Sequence, residues 1–143
     1  MNKNLEKKLK DNFPKLLSNM YNKESCLAWG VQCDDGWYDL IYNCCKELQD
    51  WCDKNSTQIQ AEQIKEKFGT LRYYLKSNNE LGILVNYWTE INEIIDKYET
   101  ISASTCELTG GKGSAKRRGY LIKTLCDESA VLYGFVDGPK IKN

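Results

Sequence analysis

Gln63-Ile64-Lys65-Glu66-Lys67-Phe68-Gly69-Thr70-Leu71-Arg72-Tyr73-Tyr74-Leu75-Lys76 is the stretch on which the fold class turns. Leu71, Tyr73 and Leu75 alternate with Thr70, Arg72, Tyr74 and Lys76, the period of a strand with one buried face. Ile59 and Ala61 alternate likewise upstream, and Gly69 stands between the two runs as a turn residue. The pattern predicts a hairpin, with 58–66 paired to 70–76. Ala61, Ile64 and Phe68 also suit a helix, which leaves that alternative open for the first arm.

Helical spacing surrounds the hairpin. Leu5, Leu9, Phe13, Leu16, Leu17 and Met20 form an apolar stripe over 3–21, in which Pro14 kinks the helix or starts a second one at Phe13-Pro14. A connector follows over 22–35. Asp34 or Asp35 is a candidate N-cap for a helix over 37–54, with Trp37, Leu40, Ile41, Cys44, Leu48 and Trp51 or Cys52 inward. Asn78 or Asn79 is the candidate cap of a third helix, 79–99, burying Leu81, Leu84, Val85, Trp88, Ile91, Ile95 and Tyr98. Trp37, Trp51, Trp88, Tyr73 and Tyr98 thus fall at core-facing positions.

The last forty-odd residues differ in texture. A small-residue loop over 102–105 leads to the Gly-rich turn Thr109-Gly110-Gly111-Lys112-Gly113-Ser114, then a short strand over 117–125 and a closing helix over 126–133. The expected class is α+β, mainly helical: residues 1–100 as one helical unit with a hairpin, and 101–143 as a small docked module. That module is too short to be stable alone. Apolar packing through Leu108, Leu121, Ile122, Leu125, Val131, Leu132 and Tyr133 is the expected means of holding it, or a Cys106–Cys126 bond under oxidising conditions.

Composition removes whole classes of function. The chain has 143 residues and equal numbers of basic and acidic side chains, 20 each, which disfavours a generally basic nucleic-acid binder. Histidine is absent, and with it the commonest general base and every imidazole-ligated metal site. No apolar run is long enough for a membrane span, and Met1–Lys8 lacks the apolar core of a secretory signal. Seven cysteines at irregular spacing suit reduced thiols, so the expected location is cytoplasmic, without disulfide scaffold or cofactor.

The blocks Asp35-Gly36-Trp37-Tyr38-Asp39-Leu40-Ile41, Gln63 to Tyr74, Ser104-Thr105-Cys106-Glu107 and Thr124-Leu125-Cys126-Asp127-Glu128 resemble a group of small uncharacterised proteins encoded mainly by phages and prophages. The resemblance spans 34–130 and implies a mobile-element accessory role in a bacterial cell. It also implies a carboxy-terminal zinc knuckle, treble-clef-like, with Cys-x-x-Cys in the turn and Cys-x-x-His at the helix start. Here Cys106 and Cys126 keep their places while Thr109 and Ser129 replace the other two ligands. Hydroxyls are poor zinc ligands, so Cys106 and Cys126 are vestigial and no metal is expected. Completion of a site by Cys26, Cys33 or Cys52 is a remote alternative.

Charge is segregated. Asp34, Asp35, Asp39, Glu47, Asp50 and Asp53 make an acidic stretch, whereas Lys112, Lys116, Arg117, Arg118 and Lys123 make a basic one, and Lys65, Lys67 and Arg72 add cations to the hairpin. The Gly110–Ser114 turn is not a Walker loop. Three readings follow. The first is a non-catalytic inhibitor, anti-CRISPR-like, that binds a bacterial host protein such as a nuclease effector complex, its carboxylates standing in for backbone phosphates. The second is a nucleic-acid or nucleotide binder using the basic segment, against which stands its lack of exposed aromatics. The third, a cysteine-dependent enzyme, has no imidazole to activate its thiol.

Overall fold

Two small antiparallel sheets and four helices make a mixed α+β architecture, seen in a computed structural model that describes residues 1–76 and 85–139. Among the described residues no helix is long and apolar enough to cross a membrane. Helix α1 spans Lys3–Asn12, capped by the Asn2 side chain, which accepts the Leu5 N–H. It stops at Phe13. Pro14 has no N–H to continue the ladder, and 13–21 runs on as successive turns rather than as the remainder of a long helix or a second one. The apolar stripe survives this break: Leu9, Phe13, Leu16, Leu17 and Met20 are all buried.

Helix α2 spans Tyr38–Lys54 and buries Leu40, Ile41, Cys44, Cys45, Leu48, Trp51 and Cys52, the face its spacing predicts. Its entry differs from expectation. A 3-10 turn, Asp35–Trp37, precedes it, and neither Asp34 nor Asp35 caps through its side chain. Asp35 instead accepts the N–H and the side-chain amide of Asn2, and Asp34 reaches Lys123. Tertiary partners outcompete the local cap.

The hairpin is real and shorter than predicted. Strand β1 (Ala61–Lys67) pairs antiparallel with β2 (Thr70–Leu75), from Ala61↔Leu75 to Lys67↔Thr70, with an irregularity between Ala61 and Gln63. The two-residue turn is Phe68-Gly69, with φ +54° and +83°. Phe68 stands exposed at its tip, which removes the helical alternative. Ala61, Ile64, Leu71 and Tyr73 face the core formed by α1, α2 and helix α3 (Val85–Ser102), with Ile91 and Tyr98 contributed by α3. Trp37, Trp51, Tyr73 and Tyr98 are buried and Trp88 half-buried. Asn78, Asn79, Leu81 and Leu84 lie outside the described residues, as does the side chain of Val85.

Beyond α3 the single strand expected over 117–125 is two. Strands β3 (Ser114–Arg118) and β4 (Leu121–Leu125) form a second hairpin about Gly119, because the break at Gly119-Tyr120 falls inside the predicted run. Helix α4 (Asp127–Tyr133) follows, and β5 (Val136–Asp137) returns to pair with β3. This segment's core is small: Cys106, Leu125, Ala130 and Phe135. Leu121, Val131, Leu132 and Tyr133, expected inside, are exposed.

Polar contacts bind the segment to the rest. The Trp37 indole N–H donates to the Thr105 carbonyl at 2.8 Å, and the Gly36 N–H donates to the Glu107 carbonyl at 2.8 Å. The Thr124 hydroxyl donates to the Gly69 carbonyl at 2.6 Å. Gly36 is required by space: a Cβ there would lie 2.5 Å from the carbonyl oxygens of both Cys106 and Glu107.

Candidate functional site

Four side chains separated in sequence converge where β4 meets α4. The Cys126 thiol, at the N-cap of α4, lies 3.2 Å from the Ser129 hydroxyl, and the Cys106 thiol lies 3.9 Å from that same oxygen. The Thr109 hydroxyl stands 3.9 Å from Cys126 Sγ. Cys106 and Ser129 are buried, Cys126 is half-buried and Thr109 exposed. A tight turn delivers the pair from the 106 side: the Gly110 N–H donates to the Cys106 carbonyl at 2.8 Å, and the Cys106 N–H to Gly111 at 2.7 Å.

The electrostatics of this cluster are unlike those of the other thiols. Burial opposes ionisation of Cys106, but the Thr109 hydroxyl and the backbone N–H groups of Cys126, Thr109 and Leu108 outweigh it and bring the thiol down to about 7. Cys33, Cys44, Cys45 and Cys52 are pushed up, chiefly by burial in the apolar core, and serve as small hydrophobes. Cys26 is exposed. All seven cysteines are free thiols. Two thiols and two hydroxyls do not fit a closed structural zinc site, which needs four N or S donors. Among the described residues no group of three or more cysteines, aspartates and glutamates is placed to share a metal ion.

The acidic stretch does not survive folding as a free surface. Asp34 pairs with Lys123 at 3.1 Å, Glu47 with Lys97 at 2.5 Å and Asp50 with Lys46 at 3.0 Å. Glu47 also takes the Tyr98 hydroxyl, and the Lys97 ammonium with that hydroxyl holds its carboxyl below the usual range. Asp35 is bound by Asn2, and Asp53 accepts from Gln49. Asp39 is exposed.

The basic segment is thinned in the same way. Lys116 is buried and divided between Asp127 and Asp137, each at 2.7 Å. Lys123 bridges Asp34 and the buried Glu107, the latter at 3.0 Å. Burial raises Glu107 further than Lys123 lowers it; conversely, Glu107 and Asp34 raise Lys123 against the cost of its own burial. Lys112, Arg117 and Arg118 stay exposed, with Arg118 lying 4.8 Å from the Phe135 ring centroid and donating to the Tyr133 carbonyl. In the first hairpin Arg72 pairs with Glu99 at 2.6 Å, Lys67 lies against the Phe68 ring, and Lys65 is half-buried.

Folding also leaves large apolar side chains uncovered. Tyr120, Leu121, Val131, Leu132, Tyr133 and Val136 are exposed within one short stretch of the second hairpin, α4 and β5, with Phe68 exposed at the tip of the first hairpin. Tyr120 is fully exposed, which corrects the expectation that the basic segment carries no exposed aromatic. Hydropathy could not single these residues out, since their spacing suits a core equally well. Glu107 was missed as a site residue altogether; an acid between Cys106 and Leu108 was the available signal. No family model matches this chain, and no curated protein or solved structure is detectably similar to it.

Proposed function

We propose that this protein is a non-catalytic binding protein whose carboxy-terminal segment, a knuckle-like module that has exchanged its metal ligands for hydroxyls, docks on a protein partner. The observation that carries this reading is the cluster of large apolar side chains left exposed between Tyr120 and Val136, beside the exposed Arg117 and Arg118. Single exposed apolar residues are ordinary, but a concentration of Tyr, Leu and Val with arginine at its rim is the composition of a protein-binding face. The exposed cations favour a partner whose apolar surface is ringed by carboxylates. The resemblance to phage-encoded proteins makes that partner a bacterial host protein, such as a defence effector that the docked chain inhibits. The internally paired acids weigh against phosphate mimicry by 34–53.

A second reading, nucleic-acid binding, is favoured by the exposed Tyr120 in the turn that follows the exposed Arg117 and Arg118, since an aromatic near cations can stack on a base. One experiment separates the two. Bacterial lysate is passed over immobilised wild-type chain, Val131→Asp/Leu132→Asp, Asp34→Asn/Asp35→Asn/Asp39→Asn and Lys112→Ala/Arg117→Ala/Arg118→Ala. The captured protein is then purified and its affinity for each measured. Docking by the apolar face predicts loss of at least tenfold with the first variant and full binding by the second. A labelled oligonucleotide shifted at low salt and released at high salt by the same chain overturns the docking reading in favour of the second.

A further inference from the structure

We propose that Cys126 and Cys106 form a thiol–disulfide exchange site, in which Cys126 reacts with a small anionic disulfide and Cys106 resolves the product into an intramolecular disulfide. Three observations meet here. The two thiols bracket one hydroxyl, Ser129 Oγ, at 3.2 and 3.9 Å, which sets them side by side although twenty residues separate them in the chain. They differ in access: Cys126 is half-buried, whereas Cys106 is 0% exposed. Finally, a cleft of about 310 Å³, lined by Lys112, Gly113, Ser114, Leu125, Cys126 and Asp127, opens beside Cys126. Lys112, exposed on its rim, is the cation that a carboxylate-bearing disulfide would meet.

The chemistry closes without a metal or a general base of its own. The Cys126 thiolate attacks one sulfur of glutathione disulfide; a Cys126–glutathione bond forms, the glutathione S–S bond breaks, and one glutathione thiolate leaves. The Cys106 thiolate then attacks Cys126 Sγ, forming the Cys106–Cys126 bond and expelling the second glutathione thiolate. The two cysteine protons end on the two released thiols. Protein thiols lose two electrons and the small disulfide gains them. A resolving thiol that is already buried cannot itself be captured by the reagent, which gives the order of events.

The test uses the full chain carrying Cys26→Ser, because Cys26 is an exposed competitor. Glutathione disulfide is added, the reaction is quenched in acid, and peptides are mapped without reduction. Expected are a transient glutathione adduct on Cys126 and then a Cys106–Cys126 linked peptide, at a rate several-fold faster than with the cationic disulfide cystamine; Lys112→Ala should erase that preference. Cys106→Ser should leave the adduct on Cys126 unresolved. The proposal is overturned by a lasting adduct on Cys126 while Cys106 stays reduced, or by no faster reaction than in Cys126→Ser. Both readouts on the Cys26→Ser chain stand even if Cys106→Ser fails to fold.

Discussion

Glu107 is 1% exposed and carries a charge that the surrounding protein only partly compensates. Its carboxylate accepts from Lys123 and from the Asp34 N–H, yet burial still raises it above its ordinary value. A group raised in the folded state contributes stability at low pH that is lost as pH rises through the folded value. Lys123→Met removes the compensating ammonium and raises Glu107 further. That variant should lose about 2–4 kcal/mol at pH 7, measured by urea unfolding, and less at pH 4, where the carboxyl is increasingly protonated. An equal loss at both pH values would show that Lys123 acts through packing alone. Gly36 gives a second check at this scale. Gly36→Ala forces backbone apart at 2.5 Å and should cost about 3 kcal/mol or more, whereas Gly69→Ala, with its nearest contact at 3.3 Å and φ of +83°, should cost about 1–2 kcal/mol.

At the scale of elements, α4 is a helix whose outward side chains contradict its composition. Val131, Leu132 and Tyr133 are apolar and exposed, while Ala130 and Ser129 face inward. If the exposed residues serve docking and not folding, Val131→Asp/Leu132→Asp should shift stability by no more than about 0.5 kcal/mol per substitution. Phe135→Ala, which empties the small core beneath the helix, should cost about 3 kcal/mol or more by the same denaturation. The first hairpin shows the complementary case. Its alternation was legible because one face truly is buried, and the turn residue Gly69 adopts the positive φ that a two-residue hairpin turn needs. The end of α1 was not legible in the same way. The stripe continues to Met20 because those residues are buried, but burial does not require that a helix bury them.

Over the whole molecule, the carboxy-terminal segment is held by its contacts with the helical part: Trp37 to Thr105, Gly36 to Glu107, Thr124 to Gly69 and the Asp34–Lys123–Glu107 group. A structural metal would make such a segment sensitive to chelation. Excess chelator should therefore leave the melting temperature unchanged, and elemental analysis should find less than one equivalent of zinc per chain. A stoichiometric zinc signal with a chelator-dependent melting temperature would refute the reading of the Cys106–Thr109–Cys126–Ser129 cluster as a two-thiol site.

The amino-acid sequence by itself determined the α+β class, the helical face of 38–54, the first hairpin and the absence of imidazole chemistry. Periodicity and residue identity are local, and each of these features is read from neighbours a few positions apart. Which charges are free was decided only in three dimensions. Asp34 is neutralised by a lysine 89 residues away and Glu47 by one 50 away, so a patch that looks acidic along the chain is mostly paired in space. The exposed apolar face was decided there too, because a short strand and a short helix can turn either side inward. The choice fell to the few residues, Cys106, Leu125, Ala130 and Phe135, that the small core had room to cover.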